Sequence, residues 1–183
     1  MGDFMGFNMA WLAFKGLTPE EVHAKLGLTD SQQDDPYNEA DFSGAQLPTG
    51  WYIVWIADIS LPNQDNLAKW SQGAEDVLCA QISEGAMISM ASAFRNGAPA
   101  WWVLHNSEQG VFDLQTGGEL PACLDEIRAE LTARQTAEGG ETAPVDFIFD
   151  IPLTVLATLC GFEHSKTEFD WGQPRFTRLD PVR

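Results

Sequence analysis

Positive charge is what this chain has least of. Ten lysines and arginines stand against 27 aspartates and glutamates in 183 residues, a formal net charge of -17. Such a field repels the phosphates of nucleic acid and anionic lipid, so neither is an expected partner. No stretch approaches the ~20 consecutive apolar residues of a membrane-crossing helix. Cysteine is scarce too: Cys79, Cys123 and Cys160 are odd in number, widely spaced and set among apolar neighbours. That excludes a disulfide framework and fits buried thiols in a reduced, cytoplasmic compartment. Residues 1–6 carry an acid and no base, unlike a signal peptide, and Gly6 stands where a myristoylation signal has Ser or Thr.

Chemical motifs are missing as well. His23, His105 and His164 are the only histidines, and no pair of them has metal-ligand spacing. There is no Cys-x-x-Cys, no glycine-rich phosphate loop and no Gly-x-Ser-x-Gly. The sequence therefore assigns no catalytic residue, metal or cofactor.

What the chain does have is apolar bulk. Seven tryptophans and eleven phenylalanines, within 44% hydrophobic residues, set it apart from disordered acidic proteins. Each such side chain contributes about 1.5–3 kcal/mol when fully buried. A length of 183 residues fits one globular domain spanning 1–183. The acidity thus belongs to the surface, and solubility or adaptation to a salty interior is its plainest explanation.

Local signals outline the elements. Phe7 to Phe14 is apolar on both alternating faces and predicts a strand covered on both sides. Thr18-Pro19-Glu20-Glu21 predicts a capped helix start, and Gly27 its stop. Trp51 to Ile56 predicts a second doubly covered strand, and Asn66 to Gln72 a short helix. Four strand-like runs follow (Glu75–Ile82, Met87–Phe94, Pro99–Leu104, Val111–Gln115), joined at Glu84-Gly85, Asn96-Gly97 and Ser107 to Gly110. Pro121 opens a helix in which Leu124, Ile127 and Leu131 share a face. Asp146 to Asp150 then reads as a strand, and Pro152 to Cys160 as a helix ended by Gly161. The fold class is α+β: a mostly antiparallel sheet with a central four-strand meander at about 75–115, and helices packed against it. An acidic loop at about 29–48 and an irregular C-terminal tail at about 163–183 complete the outline.

A two-residue turn at Asn96-Gly97 pairs Met90 with Val103 and Ile88 with His105, and a similar turn at Glu84-Gly85 pairs Gln81 with Ile88. Cys79 and His105 then share a face about 10 Å apart, too far for a nucleophile and its base. Gln81 and His105 flank Ile88 on an otherwise apolar face. They read as a satisfied core histidine with its neighbour, or as a polar pair orienting a ligand. The opposite face carries Ser89, Ala91, Ala93, Ala100, Trp102 and Leu104, small enough for a helix to approach closely or for a partner to settle on Trp102.

The acidic connection is the candidate binding site. Asp34, Asp35, Glu39 and Asp41 would steer a basic protein inward, and Tyr37 and Phe42, with Trp102, would supply anchors. Three function classes follow. The first is an acidic intracellular protein-binding module that masks a basic partner, as an immunity protein or antitoxin does. The second is a small-molecule-binding protein or an enzyme of unfamiliar type, with its pocket near His105 and Gln81. The third is a structural subunit of a bacterial assembly, with Trp102 or Trp171 at an interface.

Overall fold

A computed structural model describes residues 6–182, so the reading of the first residues as no leader falls largely outside it. Among the described residues nine strands form one antiparallel sheet: β1 Asn8–Lys15, β2 Leu28–Asp34, β3 Phe42–Gln46, β4 Tyr52–Ile56, β5 Asp76–Ser83, β6 Ile88–Arg95, β7 Ala98–Asn106, β8 Gln115–Gly118 and β9 Thr177–Pro181. Their order is β2-β9-β3-β4-β1-β5-β6-β7-β8. Four α-helices accompany them among the described residues: α1 Pro19–Leu26, α2 Gln64–Trp70, α3 Leu124–Ala137 and α4 Asp150–Cys160. The fold is α+β, helices on a sheet.

The two central strands explain the doubly apolar patterning. β1 and β4 are buried along nearly their whole length, because helices cover both faces. Even-numbered Ala10, Leu12, Phe14, Val54 and Ile56 pack with Val22 of α1 and with Leu67 and Trp70 of α2. Odd-numbered Trp11, Ala13, Ile53 and Trp55 pack with Leu124 and Ile127 of α3 and with Ile151, Val155 and Leu156 of α4. Ala91, Ala93 and Ser89 lie under these last helices, and the Ser89 hydroxyl donates to the Phe149 carbonyl at 2.6 Å. Small residues at β6 let α4 approach the sheet closely.

Helix α1 follows its local code. Thr18 accepts from the Glu21 amide, the Glu21 carboxylate accepts from the Thr18 amide, and Gly27 closes the helix with φ 70°.

Outside the meander, three elements differ from expectation. Residues 29–48 contain β2 and β3 rather than one loop. β2 buries only Leu28; it is an edge strand made by pairing with β9, and its polar side chains shield that edge from further pairing. The C-terminal tail is not wholly irregular, because β9 inserts between β2 and β3, with Leu179 buried. Asp146 to Asp150 is not a strand. Asp146 Oδ1 accepts from the amides of Ile148 and Phe149 at 3.0 and 3.1 Å and so closes a turn that leads into α4, which Asp150 begins.

The meander β5–β8 occupies one half of the sheet, ending at the β8 edge. Its last strand is β8 at Gln115–Gly118 rather than 111–115, because a 3-10 turn at Ser107–Gln109 and a further turn intervene. The Asn96-Gly97 turn forms with both φ values positive, 47° and 88°. Two features then change the register. Phe94 pairs with Pro99 but Ala93 pairs with Trp101, so Ala100 is a bulge. The β5–β6 connection takes four residues, pairing Ser83 with Ile88 and Gln81 with Met90. Every β7 residue beyond Ala100 therefore changes face relative to the two-residue-turn register.

Candidate functional site

The expected acidic binding stretch forms the turn between β2 and β3. Asp35 is its internal brace. Only 7% exposed, its carboxylate accepts from the amides of Glu39 (2.9 Å) and Ala40 (3.1 Å) and from the Ser43 hydroxyl. Burial pushes this carboxyl up, but the bonds from Ser43, Glu39 and Ala40, with Arg178 nearby, outweigh it and hold it below the ordinary carboxylate range. Asp35 is thus turned inward and offers no surface for a partner. Phe42 is half-buried against the core beside Ile56 and is no exposed anchor.

The rest of the turn faces solvent. Asp34, Glu39 and Asp41 are exposed, with Asp34 in an ion pair to Arg175 at 3.2 Å. Tyr37, 80% exposed, stands between them. It rims a groove of about 420 Å³ whose aromatic walls are Phe7, Trp55, Phe162 and Phe176. Phe162 stands edge-on to Trp11 at 5.2 Å and near Phe176 at 5.9 Å, so the groove floor is continuous with the α3/α4-side core. Phe7 just before β1, Trp55 of β4 and the chain beyond α4 build these walls. No sequence spacing links them, and the only sequence hint is the aromatic tail itself.

Trp102 is not part of this surface. Five strand steps of about 4.8 Å, roughly 24 Å, separate β3 from β7. Its indole lies half-buried over the backbone of Gly117, where a Cβ would stand 2.6 Å from Trp102 Nε1. It lines a separate cavity of about 460 Å³ with Leu67, Met90, Phe94, Leu104 and Gln81. Gln81 donates to the Ile59 carbonyl at 2.8 Å.

His105 is on the other face. It pairs with Ser89, not Ile88, so the bulge at Ala100 separates it from Gln81 and from Cys79. It is fully buried, with Nδ1 2.7 Å from the Asp113 carbonyl and Nε2 2.9 Å from Asp146 Oδ2. A carbonyl only accepts, so Nδ1 donates to it, while Nε2 faces the Asp146 carboxylate. The arrangement ties the loop before α4 to β7 and leaves no ring nitrogen for a ligand. Cys79, enclosed beneath α2, has its thiol pushed up by burial to about 12, which removes any nucleophilic thiolate at neutral pH.

Trp171 stacks on Phe169 at 4.7 Å and donates to the Gly161 carbonyl at 3.3 Å. Comparison of the chain with protein-family models, with curated proteins and with solved structures gives no match.

Proposed function

We propose that the chain is an acidic intracellular protein-binding module that masks a basic partner in the manner of an immunity protein or antitoxin. The observation that carries this reading is Tyr37: a large aromatic, 80% exposed, between the exposed carboxylates of Asp34, Glu39 and Asp41, at the mouth of an aromatic groove. Among the described residues the groove lining itself holds no carboxylate and one cation, Lys166; the exposed carboxylates that flank Tyr37 along the turn attract a cationic surface, and an exposed aromatic beside a groove offers the buried contact that holds it. Asp35 enters only as the brace that presents them.

The test is a pull-down from native lysate, read by mass spectrometry at about 50 and then about 500 mM salt, where exposed charge contacts are screened. The expected result is a stoichiometric basic protein, retained at low salt and weakened at high salt. It should be lost from a Glu39→Lys/Asp41→Lys/Tyr37→Ala variant that leaves Asp35 intact. Equal retention by that variant, or no basic protein at either salt, overturns the reading.

A second reading rests on the Trp102 cavity, whose apolar walls and few polar groups suit a flat, uncharged ligand. Saturable fluorescence enhancement of N-phenyl-1-naphthylamine, lost in Trp102→Ala, is its expected sign; binding unchanged by that substitution rejects it.

A further inference from the structure

A third cavity, of about 500 Å³, lies on the α1 side of the sheet beneath the β2 bulge. Its lining includes Glu20, His23, Asp30, Gln32, Tyr52 and Arg175. At its inner end His23 Nε2 lies 2.7 Å from Tyr52 Oη, the two residues being 9% and 4% exposed. Burial holds His23 below its ordinary value and, with the charges of Asp30 and Glu20, pushes the Tyr52 phenol well above its own, so both are neutral at pH 7. His23 Nδ1 has no hydrogen-bond partner among the described residues.

The surroundings are arranged for this pair. The Tyr52 hydroxyl sits directly over Gly44, where a Cβ would come within 2.0 Å of it. Glycine inside a strand weakens it, and close approach of another group is the usual reason for one. Gln32 adopts φ 60°, held there by its amide donating to Asp30 Oδ1 at 2.7 Å. Arg175, also in the lining, pairs with Asp34 at 3.2 Å in a largely exposed ion pair, whereas Glu20 and Asp30, exposed as well, stand in no ion pair among the described residues. Nor do they converge with His23 as a three-ligand metal set among those residues.

We propose that this cavity binds an alkyl guanidinium or alkyl ammonium group. Glu20 and Asp30 supply the opposing charge. The neutral His23–Tyr52 pair supplies an acceptor: Nδ1 when Nε2 carries the proton, the phenolic lone pairs when it does not. The cation can arrive as a free small amine or as a basic side chain of a protein, and the second source rests on the masking reading above.

The experiment follows the imidazole proton resonances of His23 by NMR in the full chain. The titrants are agmatine, acetyl-Gly-Arg-Gly-amide and, as the uncharged control, n-butylurea. A saturable shift with either cation and none with n-butylurea is expected, with affinity about tenfold weaker in Glu20→Gln and in Asp30→Asn, equivalent to about 1.4 kcal/mol. A response to agmatine alone assigns a free amine; a response to the peptide alone assigns a protein side chain. No saturable shift with either cation, an equal shift with n-butylurea, or unchanged affinity in Glu20→Gln overturns the proposal. Because the titration needs no partner, agmatine binding beside a negative pull-down keeps the cavity and rejects only the masking reading.

Discussion

Single residues carry two opposite pH dependences. Asp35 is held below the ordinary carboxylate value by its bonds in the fold. Its contribution to stability is therefore present above about pH 4 and lost as pH falls through the lowered folded value. Asp35→Asn keeps the shape but faces two backbone donors with one acceptor oxygen. A loss of about 1–3 kcal/mol at pH 7 is expected, shrinking below pH 4, as read by urea unfolding at pH 7 and pH 3. Asp150 is the reverse case: partial burial and the carboxylates of Glu163, Asp146 and Glu84 push it up to about 6. A raised folded value means that ionisation costs stability, so this cost appears as pH rises from about 4 to about 6. Asp150→Asn should therefore be more stable than the parent at pH 7 and no more stable at pH 4; an equal gain at both would locate the effect elsewhere. Gly44→Ala tests the close approach of Tyr52 to β3. Its Cβ would overlap the hydroxyl, and overpacking of this kind costs about 1–3 kcal/mol.

Elements differ in how much of their cause is local, and that decided which were legible. The capping box of α1 lies within four residues, and the sequence signal and the observed bonds coincide. Thr18→Ala should accordingly lower stability by about 1 kcal/mol, with Thr18→Ser nearly neutral, in the same unfolding assay. The hairpin at Asn96-Gly97 was equally readable, because both positive φ values are written in those two residues. The face of His105 was not. It hangs on one extra residue, Ala100, and a bulge adjoining a tight turn leaves no mark in a two-residue alternation. β2 was invisible for a different reason: its partner β9 lies almost 150 residues away, and an exposed edge strand has no apolar period to detect. The candidate surface divides along the same line. Tyr37, Asp34, Glu39 and Asp41 could be named from composition; the inward turn of Asp35 is made by bonds to Glu39, Ala40 and Ser43, close in the chain but with no mark in composition, whereas the walls supplied by Phe7, Trp55 and Phe162 exist only after distant segments meet.

At the scale of the whole molecule the charge of -17 is opposed by helices and strands that bury the large aromatics between them. A core of Trp11, Phe14, Trp101 and Phe162, each no more than 2% exposed, supplies hydrophobic stabilisation that does not depend on ionic strength at moderate salt. The surface term does depend on it. At about 10 mM salt the screening length is about 30 Å, comparable to the molecule, so the excess carboxylates repel one another across the entire sheet; at about 0.1 M it is about 10 Å and only neighbours interact. Tm at pH 7 should therefore rise between about 10 and 300 mM NaCl and then level off. The ion pairs that are present, Lys15 with Glu75 and Arg95 with Asp76 among them, are partly or largely exposed and weaken over the same range, but each is worth at most about 1 kcal/mol. If those local pairs outweighed the global repulsion, Tm would fall with salt. A rise would show instead that the acidic surface is held together against its own field, and that a basic partner, by relieving that field, would stabilise the fold as it binds.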